Sequence, residues 1–339
     1  MTAPDVGMTA PGSGPRTRRR VLQAGLGAFA AAALSPMPAR AQAWPSRTIR
    51  WVVPYLPGTA PDQTVRIVGE AMAEALGQPV VVENKAGAGG NIGAQQVARA
   101  APDGYTWLYS ATPMAINMRL HRSPGFDTLK DFTHVGRIGT SDVLLVVHAD
   151  SGIASARALL ERARREPGRL NYGSGGVGTP AHLGAELMLG VAGVEATHVP
   201  FKGAVEAVNA LVGRQIDFSL PIFHVALPHV QAGRLLALAV AGPRRNPKLP
   251  EVPTLEEIGL AGVSMVSFGG LSLPAGAPAP IVARLGATLR TVLERPDVRA
   301  RLDTGGAVSW STPEQFVEDF RSEIAKTERA MKLARLEPQ

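Results

Sequence analysis

Beyond residue 44, short apolar runs alternate with longer amphipathic stretches, and glycine or proline marks nearly every change. Pro79-Val80-Val81-Val82-Glu83-Asn84 reads as a buried strand. Lys85-Ala86-Gly87-Ala88-Gly89-Gly90 follows as a glycine turn, a helix starts near Asn91, and Pro102-Asp103-Gly104-Tyr105 turns the chain into a strand over 106–109. This is one right-handed crossover unit of a parallel sheet, and such sheets hold ligands beyond the carboxyl ends of their strands. Before it, 48–55 predicts a strand breaking at Pro57-Gly58. Asp62 is placed to cap a helix carrying Val65, Ile67, Val68, Met72 and Leu76. After it come a buried strand over 143–148, a helix over 154–165, a strand over 170–172 and a helix from 181. A strand over 197–199, a helix over 204–212, a strand near 216–220, a helix around 223–232 and a strand over 235–241 continue the alternation. Beyond Pro243 lie proline-rich connectors, a strand near 263–268, and helices starting near Pro280, Pro296 and Pro313, where a missing N–H costs nothing. Such alternation predicts an α/β protein with helices on both faces of parallel strands.

Composition narrows the class. The chain has 339 residues, enough for two domains, and its 45% apolar and 19% charged residues exclude wholesale disorder. The formal charge of +7 falls to about +3 without residues 1–43, which hold Arg16, Arg18, Arg19, Arg20 and Arg40 against Asp5. Mild basicity suits a small anion, and no Lys/Arg run with interleaved aromatics suggests nucleic acid. Zero cysteines excludes disulfides and thiolate chemistry. Thr17-Arg18-Arg19-Arg20-Val21-Leu22-Gln23 looks like a twin-arginine export motif, although the general secretory route stays open. The Ala/Gly-rich run over 21–34 and the small-residue sites Ala39-Arg40-Ala41 and Ala41-Gln42-Ala43 complete an export signal over 1–43, cleaved near Ala41 or Ala43. An uncleaved anchor or a tail is the alternative. The run is too short for a permanent span and no other segment approaches one, so the mature protein is expected not to be membrane-embedded.

The glycine motifs have enzyme readings that the residues do not complete. Gly87, Gly89 and Gly93 form a loose dinucleotide fingerprint, but the acidic ribose ligand expected about 20 residues on is missing from Leu108-Tyr109-Ser110-Ala111-Thr112. The loop over 173–180 mimics a phosphate loop, except that Thr179 stands where Lys is needed. Tyr172 breaks the G-x-S-x-G elbow around Ser174, and the histidines show no metal-ligand spacing. No cofactor, metal or catalytic set is expected.

Three loops combine a strand end, small residues and a helix start, which aims backbone N–H groups and a positive helix end at one point. They are Gly58-Thr59-Ala60 before Pro61-Asp62, Ser110-Ala111-Thr112, and the loop over 173–180, where Ser174, Gly178 and Thr179 could form an anion nest. His182, one turn into the next helix, is either a buried packing residue or a ligand contact. Asp62 reads as a cap before a contact.

The block over 79–106, with Asn171-Tyr172-Gly173-Ser174, Gly178-Thr179, His198-Val199-Pro200-Phe201-Lys202-Gly203, Leu227-Pro228-His229 and Leu249-Pro250-Glu251-Val252-Pro253-Thr254, strongly resembles the periplasmic solute-binding proteins of tripartite tricarboxylate transporters, the Bug-type family. The resemblance spans about 44–333. It implies a two-lobed, type II-like periplasmic binding protein with the ligand in a cleft between lobes joined by two crossing strands. It also implies a small organic carboxylate as ligand and the membrane subunits of a tripartite transporter as partners; a monomer is expected. The strands over 143–148 and 235–241 are the candidate crossings, giving one lobe over 44–145 and 242–339 and the other over 146–241. Two departures stand out. The family usually carries a glycine where Thr59 stands, and a polar pair where this chain has Pro221 and Ile222, so the ligand's far end would meet an apolar wall. That shades the ligand towards an acid with an apolar or aromatic body. An exported hydrolase using the same cleft, or a binding protein feeding a receptor, are the alternative functions.

Overall fold

Four of the five residues of β1 (Ile49–Val53) are buried, and the strand lies between two parallel neighbours, β2 (Val80–Asn84) and β3 (Thr106–Ala111). A strand buried on both faces needs apolar side chains throughout, which is why Trp51 and Trp107 meet edge-to-face at 5.2 Å beneath it. The computed structural model describes residues 1–2, 7, 44–302, 307–334 and 336–338. Nearly all of the expected export segment lies outside the described residues. The compact unit begins at Pro45.

After β1 comes α1 (Ala60–Leu76), which buries Val65, Val68, Met72 and Leu76 at helical spacing and stops at Gly77 in the left-handed conformation. It starts three residues earlier than a cap at Asp62 implies: Thr59 occupies the cap position and Asp62 lies inside the first turn. The crossover from β2 to β3 runs through α2 (Asn91–Ala98), and α3 (Thr112–Leu120) follows β3 directly. Of two further strands, one has no counterpart in the sequence reading, and the other begins inside the strand expected near 263–268 and runs on to Pro274. β4 (Phe132–Asp142) has irregular burial, and β10 (Val266–Pro274) lies antiparallel to both β3 and β4. Among the described residues the first sheet has the order β11-β4-β10-β3-β1-β2, β11 being Ala307–Val308. At Gly270 a Cβ would stand 2.4 Å from the Gly136 carbonyl oxygen, so only glycine lets β10 cross β4 there.

The second sheet, order β7-β6-β8-β5-β9, uses β5 (Leu144–His148), β6 (Asn171–Ser174), β7 (Thr197–Pro200), β8 (Phe218–Ser219) and β9 (Leu235–Val240). Its helices are α4 (Ala156–Arg165), α5 (Pro180–Ala192), α6 (Ala204–Val212) and α7 (Phe223–Gln231). Both sheets are mixed, which corrects the expectation of purely parallel strands: β5 runs antiparallel to β8 and β9. The cause is the way the chain leaves the first sheet and comes back. β5 and β9, expected as the crossing strands, are paired with each other inside the second sheet. The chain passes over at Asp142–Leu144 and returns at Met265–Val266, where Val266 pairs with Asp142. Met265 N–H bonds the Ala241 carbonyl at 2.6 Å. Leu249, Val252, Leu255, Leu260, Val263 and Met265 of the proline-rich connector pack into the cores of the second sheet.

Three helices close the chain: α8 (Ala279–Glu294), α9 (Pro296–Leu302) and α10 (Pro313–Ala334). Phe316, Phe320 and Ile324 of α10 belong to a core of the first sheet, whereas Ala330 and Met331 belong to a core of the second. The helix therefore spans both. No described helix is long and apolar enough to cross a membrane.

Candidate functional site

A cavity of ≈ 280 Å³ opens between the two sheets. Its walls contain the first residues of five helices: Ala60 and Pro61 of α1, Pro113 of α3, Pro180 and Ala181 of α5, Ala204 of α6, and His224 of α7. Two of these helices follow strands of the first sheet and three belong to the second. First-turn N–H groups have no partner inside their helix, and each helix start carries partial positive charge. The described lining contains no Asp, Glu, Lys or Arg. Within these walls, positive potential is supplied by the main chain.

The two expected nest loops are built on one plan. Gly58 and Gly178 both sit at φ +79°, and the following Thr59 and Thr179 both cap a helix at φ −71° with ψ near 160°. In each loop the Thr N–H and hydroxyl donate to the carbonyl three residues back, Leu56 or Gly176; the hydroxyl bonds measure 2.7 and 2.8 Å. In each, the Gly N–H is engaged by the side chain four residues on: Asp62 Oδ2 at 2.8 Å and His182 Nδ1 at 3.1 Å. Positive φ makes glycine necessary at both sites. The consequence is chemical. The Gly58 and Gly178 amides are held within their own turns, while the N–H groups of Ala60 and Ala181 precede the first intrahelical bonds, from Gln63 and Leu183.

Of the residues singled out from sequence, Ala60, Ala111, Thr179, Pro221 and Ile222 line the cavity. Gly58 and Thr59 form the turn behind it. Ser110 and Thr112 are fully buried and point into the first sheet: Ser110 Oγ lies 2.6 Å from Ser272 Oγ, and Thr112 Oγ1 accepts from Phe268 N–H at 2.8 Å. They fasten β3 and α3 to β10; they are not an open polar end. Ser174 is also fully buried, with its hydroxyl 2.7 Å from His198 Nε2 and accepting from Gly176 N–H. His182 is buried, its ring stacked at 4.0 Å on His198 and flanked by Tyr172. Burial, with the His198 ring beside it, pushes His182 down to about 4, so it accepts the Gly178 N–H as a neutral imidazole. Burial also pushes the Glu186 carboxyl up, where it accepts from the Tyr172 hydroxyl. This cluster supports the Gly175–Thr179 loop from below.

Residues missed in the sequence complete the walls: Tyr55, Tyr109, Ile138 to Ser141, Ala204, His224 and Ser267 to Gly269. Ala204 was within reach, because 201–204 repeats the pattern of strand end, glycine and helix start. At Gly175 a Cβ would stand 2.8 Å from Ala204 N, so glycine lets the β6–α5 loop approach α6 closely. Ile138 to Ser141 were not within reach, since β4 has no clean period. Among the described residues no group of three His, Asp or Glu side chains could hold a metal. The described lining offers hydrogen-bond donors and apolar surface.

Asp62 makes the first loop sensitive to acid. Burial pushes its carboxyl up, but bonds from Arg66, Gly58 N–H and Asn84 outweigh that and hold it below the usual carboxylate range. Its folded value lies below its unfolded one, so the stabilisation is present at neutral pH and lost as pH falls through the folded value. Urea unfolding between about pH 3 and pH 7 should show wild type more stable than Asp62→Asn by about 1–2 kcal/mol above pH 5, with the gap closing below about pH 4. A gap independent of pH would contradict this account.

The family described as "Tripartite tricarboxylate transporter family receptor" matches residues 64–335. A protein of Pseudomonas sp. (strain P51), encoded in the tcbD-tcbE intergenic region, is 39% identical over 318 residues, 93% of each chain. Protein BugT of Bordetella pertussis is 32% identical, over 88% of this chain and 93% of its own. A solved structure, R. palustris Rpa4515 with adipate, superposes with a TM-score of 0.77 at 30% identity, covering 87% of this chain and all of that one.

Proposed function

We propose, for a chain that belongs to the receptor family of tripartite tricarboxylate transporters, that the cavity between the sheets captures a small organic carboxylate with an apolar body. One observation carries the reading: helix starts from both sheets converge on a space whose described walls hold no charged side chain. A carboxylate placed there accepts main-chain N–H bonds in a site partly shielded from water, where charge-assisted bonds are strong. Tyr55, Tyr109, Ile222 and Phe268 offer the rest of the molecule apolar surface. The adipate bound by the R. palustris relative, a dicarboxylate with a four-methylene body, supports that ligand shape.

The lobes are taken as 45–142 with 266–338, and 143–265, hinged where Asp142 pairs with Val266. A ligand touching helix starts on both sides favours the closed arrangement by its differential affinity. The closed form is what the membrane subunits of the transporter would recognise. The mature protein works in the periplasm as a receptor without catalysis, after cleavage near Ala41 or Ala43.

A thermal-shift panel tests the ligand class. Linear dicarboxylates, monocarboxylates and aromatic acids are compared with their uncharged methyl esters. At about 100 times Kd a ligand adds about 2.7 kcal/mol of stability, a shift of several degrees. At least one acid should produce it and its ester should not. A panel with no shift, or esters matching their acids, would overturn the assignment.

A further inference from the structure

Behind the crossing strands lies a second cavity, of ≈ 600 Å³, sharing Thr140, Ser141 and Phe268 with the first. Its chemistry is different. Arg137, Arg244, Arg245, Lys248 and Lys326 line it, against Asp142, Asp319 and Glu323, with Arg245 paired to Glu257 at 2.9 Å. Several of these charges are already matched. Arg137 pairs with Asp319 at 2.6 Å and holds Ser309 as well, and Asp142 accepts from Asn246 at 2.7 Å. Arg244 makes no ion pair or hydrogen bond among the described residues, and Lys326 faces Glu323 and Asp319 across the space without a close contact. Glu323 supplies an independent sign. It lines the cavity, the residue is 2% exposed, and its Oε1 has no hydrogen-bond partner among the described residues. Buried polar atoms are rarely left without a partner, so this one calls for a group from outside the chain.

We propose that this rear cavity is a second binding site, for a small oxyanion held by Arg244 and Lys326 and hydrogen-bonded to the Glu323 carboxyl. The charge balance favours an anion: two cations without close partners face a carboxyl that need not be ionised. Burial pushes Glu323 up to about 7, against the pull of Lys326, so a protonated Glu323 can donate to an anionic oxygen. Arg244 sits on the connector packed with the second sheet, whereas Lys326 and Glu323 sit on α10. An oxyanion there would bridge the two beside the hinge. Inorganic phosphate and a short carboxylate share the required chemistry.

Calorimetric titration of the full chain with inorganic phosphate, acetate and succinate, at ionic strength held constant with chloride, tests the proposal. The titrations are repeated in an Ala204→Asp background, which closes the front cavity to anions. Saturable binding of at least one probe should survive in that background. Saturation by phosphate alone or by a carboxylate alone supports the site and identifies the source. The double variant Arg244→Ala with Lys326→Ala should weaken that binding about tenfold or more, while the melting temperature stays within a few degrees. Glu323→Gln, which keeps a donor at every pH, should retain it. No saturable binding by any probe, or equal affinity in the double variant, would overturn the second site and leave the front-cavity reading untouched.

Discussion

Ala204→Asp is expected to weaken carboxylate binding about 100-fold while leaving the fold as stable as before or slightly more so. Ala204 is the first residue of α6 and lines the front cavity. An aspartate in a first helical turn interacts favourably with the helix dipole by about 0.3–1 kcal/mol, so the variant should fold. For two like charges about 5–6 Å apart the repulsion sets the size of the effect. At an effective dielectric near 20 that costs about 3 kcal/mol, and about 2.7 kcal/mol corresponds to 100-fold in Kd. No cationic side chain among the described lining residues is there to screen it. Calorimetry with the acid that shifts the wild-type melting temperature measures the loss, and Ala204→Asn controls for size and should stay within a few-fold. Unchanged affinity in the Asp variant would mean the anion binds elsewhere.

The second large effect is on stability. Phe320→Ala should lower the unfolding free energy by about 3–5 kcal/mol, and the melting temperature by roughly 6–15 °C. Phe320 is fully buried on α10, stacked on His134 at 4.6 Å and edge-on to Phe268 at 5.0 Å. His134 cannot relax into the space freely, because Ser272 holds its Nδ1 at 2.7 Å and the Thr128 carbonyl lies 3.0 Å from its Nε2. A cavity there would stay open. Phe268 lines the front cavity, so ligand affinity should fall alongside stability. Phe320→Leu should recover most of the loss. A drop below about 1 kcal/mol in the Ala variant would show that the core refills, contrary to this packing account.

Much of the architecture could be read locally. The crossover through α2, the helices opening at Pro180, Pro296 and Pro313, and the strands of the second sheet all announced themselves through period and punctuation. Those signals depend on residues within a few positions of one another. β4 did not announce itself, since its burial follows α8, α10 and β10 instead of a regular alternation. Which sheet receives the strand over 143–148 was not legible either, because it looks equally apolar in both; the structure pairs it with β9 in the second.

In the site, the loops were legible and the roles of their atoms were not. Gly-Thr before a proline-bearing helix start marks a turn with a positive end in any context, and both such turns were recognised. That Asp62 and His182 engage the glycine amides four residues back is a local contact that spacing alone does not reveal, whereas Ser110 and Thr112 face inward because of partners more than a hundred residues away, and Arg244 shares a cavity with α10 only in the folded chain. The sequence by itself determined where helices and strands begin, because dihedral preference and apolar spacing are short-range properties. Only the tertiary structure decided which helix starts share one cavity and which N–H groups remain to meet a ligand, because that depends on three-dimensional geometry that propensity and spacing do not specify.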